Sequence, residues 1–232
     1  MTIPERLPHE SAKEYVLRAL IDHIVNIELL PGEKLNEAGL CEQLGVSRTP
    51  FREAELELAQ RRLIEIRPKI GTYVSLIDAS LVEEVRHLRS VLEAEIAGMA
   101  CEKLTPEDIN ALWENVTLWQ MYLSRGPEDK IFSLDKEFHR MLYLKCGCPY
   151  WYELVENMAP HFDRTTILSL RCRPTTAIHE DHVSLVTAIE KKDVTAARRI
   201  AGQHMTRYME NLSAIREAYP DYFKVQNAGA GS

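Results

Sequence analysis

Four residues in the second half of the chain have the types and spacing of a transition-metal site: Asp135, His139, His182 and His204. Asp135 and His139 stand four positions apart, which on an α-helix sets a carboxylate and an imidazole about 40° apart around the axis, so both can converge on one point. His182 and His204 lie on either side of Lys191-Lys192-Asp193. Two antiparallel helices joined at that turn would bring the two rings within about one helical turn of each other in height. One carboxylate and three imidazoles suit Zn²⁺, Ni²⁺, Mn²⁺ or Fe²⁺. Each histidine taken singly is more simply a surface or hydrogen-bonded side chain; the joint placement is what argues for an ion. Such a donor set with open positions can also activate water, so a metal-dependent enzyme acting on a carboxylate is an alternative, as is a protein that senses the metal itself. Against the enzyme, no additional general base stands at a fixed distance from the four.

A second constellation lies near the start of the chain, in Gly45-Val46-Ser47-Arg48-Thr49-Pro50-Phe51-Arg52. Asn36 can cap a short helix through Leu40 and Leu44, and Gly45 stands where that helix must stop in a left-handed conformation. Ser47 or Thr49 then caps the next helix, with Pro50 in its first turn, where a missing N–H is harmless. Arg48 and Arg52 share one helical face, while Ala54 and Leu58 turn away from it. Arginines at the start of such a helix can donate two hydrogen bonds to guanine O6 and N7 or hold phosphate. An ordinary helical hairpin with solvated arginines would look similar, but the segment downstream points to DNA. The run from Glu65 to Val74 alternates as a two-stranded hairpin does, with Lys69, Ile70 and Gly71 near its tip. A helix-turn-helix followed by a basic-tipped hairpin is a winged helix.

From Leu81 to Tyr219 the pattern is helical throughout. Leu81, Val85, Leu88, Leu92, Ile96 and Met99 form a stripe at helical spacing to about Lys103. Thr105-Pro106-Glu107-Asp108 opens a second helix, with Thr105 as cap, running to about Ser124 and broken by Arg125-Gly126-Pro127. A third spans about Lys130 to Lys145 and stops at Gly147-Cys148-Pro149. A fourth covers about Tyr150 to Leu168, with Pro160 as a possible bend. After a loop at Pro174, helices follow over about 176–191 and 194–219. The expected class is therefore mainly α, with an N-terminal winged helix-turn-helix over residues 1–77, a helical bundle over 78–222, and a flexible tail over 223–232. The small residues from Asn227 to Ser232 make that tail.

The formal net charge of −7 is unequally divided. Residues 1–76 hold 10 Lys+Arg against 12 Asp+Glu, and the remainder 18 against 23, whereas residues 45–72 carry six basic and four acidic groups. Distant acids are screened beyond about 10 Å at 0.1 M salt, so a locally basic reading face on an acidic body can bind DNA. Five cysteines, at positions 41, 101, 146, 148 and 172, make no disulfide framework. The chain shows no long apolar run and no signal pattern at its start, so the expected location is the cytoplasm. Trp113, Trp119 and Trp151 read as core or dimer-interface packing, and Lys191-Lys192 and Arg198-Arg199 as solvated faces.

These residues carry a family resemblance. Residues 10–77 resemble the DNA-binding domain of GntR-type bacterial transcription regulators through Leu30-Pro31-Gly32, Leu35-Asn36-Glu37, Gly45 to Ala54, Glu65-Ile66-Arg67-Pro68 and Gly71-Thr72. The resemblance implies that Ser47, Arg48, Thr49 and Arg52 contact DNA, with Lys69 at the basic wing tip and Gly71 letting the wing backbone approach the minor groove. Two positions depart from the pattern. Glu55 replaces a core leucine, and Arg62 replaces the glycine before the wing. A buried carboxylate is costly without a partner, so Glu55 is expected to pair with Arg61 or Arg62 unless the end of its helix is locally adjusted.

Residues 80–216 are similar to the FCD effector domain of FadR-like members of that family. The similarity lies in Leu88-Arg89, Leu92-Glu93, Asp135, Phe138-His139, Gly147, Pro149, Asp181-His182, Ala188-Ile189, Asp193, Ala196-Ala197 and His204-Met205. It implies that Asp135, His139, His182 and His204 hold a divalent metal, zinc foremost, with positions open for a small carboxylate effector. Cys148 and His87 depart from the asparagine and glutamate usual there. Arg207, Tyr208 and Asn211, following His204 at helical offsets, are candidate effector contacts, together with Arg89, His161 and Arg164. Arg164 and Arg207 could equally be paired within the chain or solvated. The implied whole is a DNA-binding regulator, more often a repressor than an activator, acting as a homodimer on operator DNA under control of a small organic acid.

Overall fold

The computed structural model describes residues 3–123, 127–172, 176–207 and 211–225. It divides into two compact units, one formed by the residues up to Ser80 together with those from Tyr219 onward, the other by Leu81–Ala218. The architecture is mainly helical, with one two-stranded sheet.

In the first unit, helix α1 (Ala12–Val25) opens on a capping box that the sequence pattern Ser11-x-x-Glu14 specifies. Glu14 N–H donates to Ser11 Oγ at 3.2 Å, and Ser11 N–H donates to Glu14 Oε2 at 2.8 Å. Helix α2 (Glu37–Leu44) is capped by Asn36, whose Oδ1 accepts from Gly39 N–H at 3.1 Å. It ends at Gly45 with φ 64°, a left-handed position that glycine occupies without penalty. Helix α3 is Arg48–Gln60. Val16, Leu20, Phe51, Ala54, Leu58 and Leu63 form the centre of this unit's core. Strands β1 (Ile64–Arg67) and β2 (Gly71–Val74) pair antiparallel, Ile64 opposite Val74 and Arg67 opposite Gly71, leaving Pro68-Lys69-Ile70 at the tip. Arg62 has φ 58°, which explains why glycine is usual there and is a locally strained place for a side chain.

The expected boundary at residue 222 needs correction, because the chain from Tyr219 returns to the first unit. Ile77 N–H donates to the Tyr222 carbonyl at 2.8 Å and Lys224 N–H donates to the Ile77 carbonyl at 2.9 Å. Ile77 and Phe223 thus form a parallel bridge, and both side chains are buried. The segment expected to be flexible from residue 223 begins at an anchored bridge, since Ile77 offers one unpaired donor and acceptor that the returning backbone satisfies. Asn227–Ser232 lie outside the described residues.

The second unit contains α4 (Ala79–Lys103, entering from the first), α5 (Pro106–Leu123), α6 (Glu128–Lys145), α7 (Pro149–Cys172), α8 (Ala177–Glu190), α9 (Val194–His204) and a last described helix, Leu212–Ala218. The Thr105 hydroxyl accepts from Asp108 N–H at 3.2 Å to start α5, and Asp193 Oδ1 accepts from Ala196 N–H at 3.0 Å to start α9. Ile96, Leu112, Val116, Phe138, Leu142 and Val186 are among the residues closing the core. Helix α7 continues through Pro160. The breaks expected at Arg125-Gly126 and Pro174 fall outside the described residues.

Two expectations about these helices are corrected. The buried stripe of α4 runs through Val82, Val85, Arg89, Glu93, Ile96 and Ala100, while Leu88 is exposed, so the charged pair Arg89 and Glu93 faces inward. The single helix expected over 194–219 stops at His204. Thr206 N–H and its hydroxyl both donate to the Gln203 carbonyl, at 2.9 and 2.6 Å, a local closure that competes with helix continuation. No helix among the described residues is long and apolar enough to cross a membrane. The cysteines are free, three buried and two half-buried.

Candidate functional site

The α8–α9 hairpin and α6 bring the four sequence-derived donors together. Lys192, at φ 58°, turns the chain between α8 and α9, setting His182 and His204 face to face. Their Nε2 atoms lie 3.2 Å apart; Asp135 Oδ1 lies 3.5 Å from His182 Nε2 and 3.8 Å from His139 Nε2. One atom from each of the four falls within 4.8 Å of the others, and all four residues are buried. Donors around one ion at about 2.0–2.2 Å stand about 3–3.5 Å apart, so this spacing fits a small divalent cation. Asp135 Oδ1 and His139 Nε2 are buried without hydrogen-bond partners, which is costly unless a cation takes both. The cluster therefore has the chemistry and the spacing to hold a metal.

Surrounding groups act on the rings in opposite directions: burial disfavours protonated His139, but Glu93 and Asp135 outweigh it and raise that ring above the ordinary histidine value. Burial, reinforced by His204 and His139, holds His182 well below the ordinary histidine range. Its ring is stacked on Phe138, with centroids 4.0 Å apart, and meets the edge of Trp119. His139 Nδ1 lies 2.9 Å from Glu93 Oε2, and Glu93 in turn faces Arg89 at 3.5 Å. Burial opposes ionisation of Glu93, but His139 and Arg89 outweigh it and hold the carboxyl down to about 2. A carboxylate on the far nitrogen fixes the imidazole so that Nε2 presents its lone pair. Glu93→Gln is expected to weaken zinc affinity about ten- to hundredfold in a competition titration against a chelating dye. Unchanged affinity would mean that packing alone orients His139. The sequence pattern contained Glu93 next to Leu92 but offered no sign of this role, because α6 and α4 are distant in the chain.

The structure separates the candidate effector residues. Arg89 lies beside the cluster, on the wall of a cavity of about 10 Å³ that Glu93, Asp135, Lys136, His139 and Asp163 also line. Lys136 bridges Glu156 at 3.0 Å and Asp163 at 3.1 Å across its mouth. His161 and Arg164 are buried on α7 and are not among the residues lining that cavity. Burial draws the Arg164 guanidinium down to about 10. Arg207 forms a two-pronged pair with Asp181, its Nη2 at 2.8 Å from Oδ1 and its Nε on Oδ2. Asp181 Oδ2 also lies 3.5 Å from His204 Nδ1. Arg207 thus backs His204 through Asp181 rather than facing the cavity, because the break after His204 removes the helical offset. Asn211 donates to Ser169 Oγ at 2.8 Å. Tyr208 lies outside the described residues.

In the first unit, Ser47, Arg48, Thr49 and Arg52 are exposed at the start of α3, and Lys69 is exposed at the wing tip. Ser47 occupies the cap position but makes no side-chain cap hydrogen bond. The third helical residue is Pro50, which has no N–H to offer, so the serine hydroxyl is left available to an outside partner. Thr49 is inside the helix rather than at its cap. Gly71 has φ 139°, and a Cβ there would stand 2.5 Å from Lys34 Cε. That atom is the far end of a flexible side chain, so it is the positive φ that favours glycine here. The expected pairing of Glu55 with Arg61 or Arg62 is corrected: Arg61 bonds Glu57 at 2.5 Å, and Glu55 lies buried against Glu37 and Thr72.

A winged helix-turn-helix with an unspent serine and two outward arginines, carried with a helical unit built around a metal-type cluster, defines a DNA-binding transcription regulator. Residues 12–74 match the family described as bacterial regulatory proteins, gntR family, and residues 84–207 match the FCD domain. The chain belongs to the GntR family of regulators and carries an FCD domain. It is 29% identical to the HTH-type transcriptional repressor RspR of Escherichia coli over 96% of this chain and 99% of that protein. It is 30% identical to an HTH-type transcriptional regulator in an unstable DNA locus of Streptomyces ambofaciens, over 88% and 86%. The solved structure of E. coli McbR/YncC has the same fold, with a TM-score of 0.76, 24% identity, and coverage of 90% of this chain and 99% of that one.

Proposed function

We propose that this regulator is a homodimeric repressor whose operator affinity is set by a small organic acid bound at a divalent metal, zinc foremost, in the helical unit. The convergence of Asp135, His139, His182 and His204 carries this reading. The bound ion would supply a Lewis acid to an acid's carboxylate oxygen, and Arg89, which lies beside the cluster, would take the remaining charge. Ser47, Arg48, Thr49, Arg52 and Lys69 would contact operator DNA, Arg48 reading bases and the others positioning phosphate, and Gly71 would keep the wing backbone slim. A dimer is favoured because one winged helix contacts too little DNA for high specificity, and because Leu88 and Val91 leave an apolar strip on α4, 41% and 57% exposed. Repression is favoured by the relative named as a repressor, and a cytoplasmic location follows from action on DNA.

Purified protein is expected to carry about one divalent ion per chain by elemental analysis. Operator binding should change severalfold only when zinc, nickel or manganese and a small carboxylate are both supplied, and a ligand acting this way must bind the two states of the protein unequally. If affinity follows the metal alone, the protein is a metal sensor and the acid pocket is wrong. Turnover of a carboxylate that stops with His139→Ala would replace the regulatory reading of the site with an enzymatic one.

A further inference from the structure

Between α3 and the wing lies a groove of about 510 Å³ whose rim carries Arg52, Arg67 and Lys69 and whose wall includes two carboxylates, Glu37 and Glu55, with Thr72. The Thr72 hydroxyl donates to Glu37 Oε1 at 3.2 Å. Glu55 is 4% exposed, and its Oε1 has no hydrogen-bond partner. The groups facing it are the Glu37 carboxylate and Cys41 thiol of α2, the Thr72 hydroxyl of β2 and, from its own helix, Arg52, whose side chain is solvent-exposed. A buried anion in such a setting has a like charge beside it and only one outward cation to offset it. Burial, reinforced by Glu37 and only partly offset by Thr72 and Arg52, lifts the carboxyl to about 7.

We propose that Glu55 makes operator binding proton-linked: the reading head grips DNA with Glu55 as the neutral acid and loses affinity as that carboxyl ionises. This rests on the proposed placement of Arg52 and Lys69 against DNA. A duplex laid over the groove would bring phosphate charge close and expel water, and both disfavour a carboxylate anion on its wall. An ionised Glu55 would also compete with phosphate for Arg52. Binding must then take up a proton wherever the free protein is ionised, and by linkage affinity falls as pH rises. The head's own stability has the same sign: the contribution of neutral Glu55 is fully present below the unfolded value of 4.5 and is lost as pH rises through about 7.

The test uses the full-length protein and a duplex that it selects from a random-sequence pool at pH 6.5. At constant ionic strength the dissociation constant should rise about fivefold per reading head between pH 6 and pH 8, the change expected if DNA raises the carboxyl's pKa by about one unit more. Glu55→Gln should hold the low-pH affinity across the range. A Glu55→Gln slope equal to that of the unaltered protein overturns the proposal, because it assigns the proton to another group. Since a buried substitution can disturb folding, the unaltered protein supplies a second reading: binding heats in buffers of different ionisation enthalpy should show uptake of about half a proton per head at pH 7.5. Zero uptake overturns the proposal as well. Arg52→Ala and Lys69→Ala separate the two layers of inference. If both leave binding intact, the assignment of this face to DNA fails; if they weaken it and the pH profile is flat, the proton linkage alone fails.

Discussion

His182→Ala protein is expected to purify with less than about a tenth of an ion per chain, and to lose the rise in Tm that zinc gives the unaltered protein. A ligand present at about a thousand times its Kd stabilises the folded state by about 4 kcal/mol, which for a chain of this size is about 8–16 °C. The position is the most sensitive of the four because His182 is completely buried and its Nε2 faces both His204 and Asp135. Without that ring the remaining donors sit on α6 and at the end of α9, with nothing from α8 between them. The substitution also leaves a space between Phe138 and Trp119, so the metal-free protein should be less stable by about 2–4 kcal/mol. Asp135→Asn separates the two effects: it keeps volume, removes the only carboxylate of the set, and should abolish the zinc-dependent shift while leaving the metal-free Tm little changed. A full zinc shift in both variants would show that the ion binds elsewhere.

How much of this was legible in the sequence depended on whether the signal was local. The Asn36 cap, the Gly45 stop, the hairpin from Glu65 to Val74 and the spacing of Asp135 and His139 are properties of a few consecutive residues, and the structure shows the elements they specify. The face-to-face meeting of His182 and His204 needed only one turn to be placed correctly, at Lys191-Lys192-Asp193. Readings that extended a regular pattern past its end failed. The offsets from His204 to Arg207 and Asn211 presumed an unbroken helix, whereas the Thr206 hydroxyl closes the chain on Gln203. The stripe assigned to α4 counted Leu88 as inward because it is apolar, yet Leu88 is exposed while Arg89 and Glu93 are buried, since each other's charge and the His139 ring compensate their desolvation. Such compensation comes from α6, some 46 positions away, and no local pattern reports it. Glu55 shows the same limit from the other side. Its departure was visible in the sequence, but the neighbour expected for it was a nearby arginine, whereas the structure supplies Glu37 from α2 and Thr72 from the wing.

The return of the chain to Ile77 yields the second large effect. Phe223→Ala should destabilise the first unit by about 3–5 kcal/mol, the usual cost of removing a buried phenyl ring. Phe223 is 5% exposed, Ile77 beside it is fully buried, and two backbone hydrogen bonds bracket the pair, from Ile77 to Tyr222 and from Lys224 to Ile77. Lys224 Nζ adds a contact with Asp78 at 3.3 Å, but both groups are solvent-accessible, so that ion pair contributes at most about 1 kcal/mol. The ring and the backbone bridge therefore dominate. Hydrogen exchange is the discriminating measurement: the amides of Ile77 and Lys224 should exchange at least about a hundredfold faster in Phe223→Ala, since a loss of about 3 kcal/mol corresponds to a factor of that order in the opening equilibrium. Lys224→Ala, which removes only the exposed ion pair, should leave both rates within about fivefold of the unaltered protein. Equal protection in Phe223→Ala and the unaltered protein would mean that the returning segment adds nothing to the reading head, and that its fold is complete at Ser80. Loss of protection would instead place the C-terminal end of the chain in the framework that holds Ile77, the residue leading into α4.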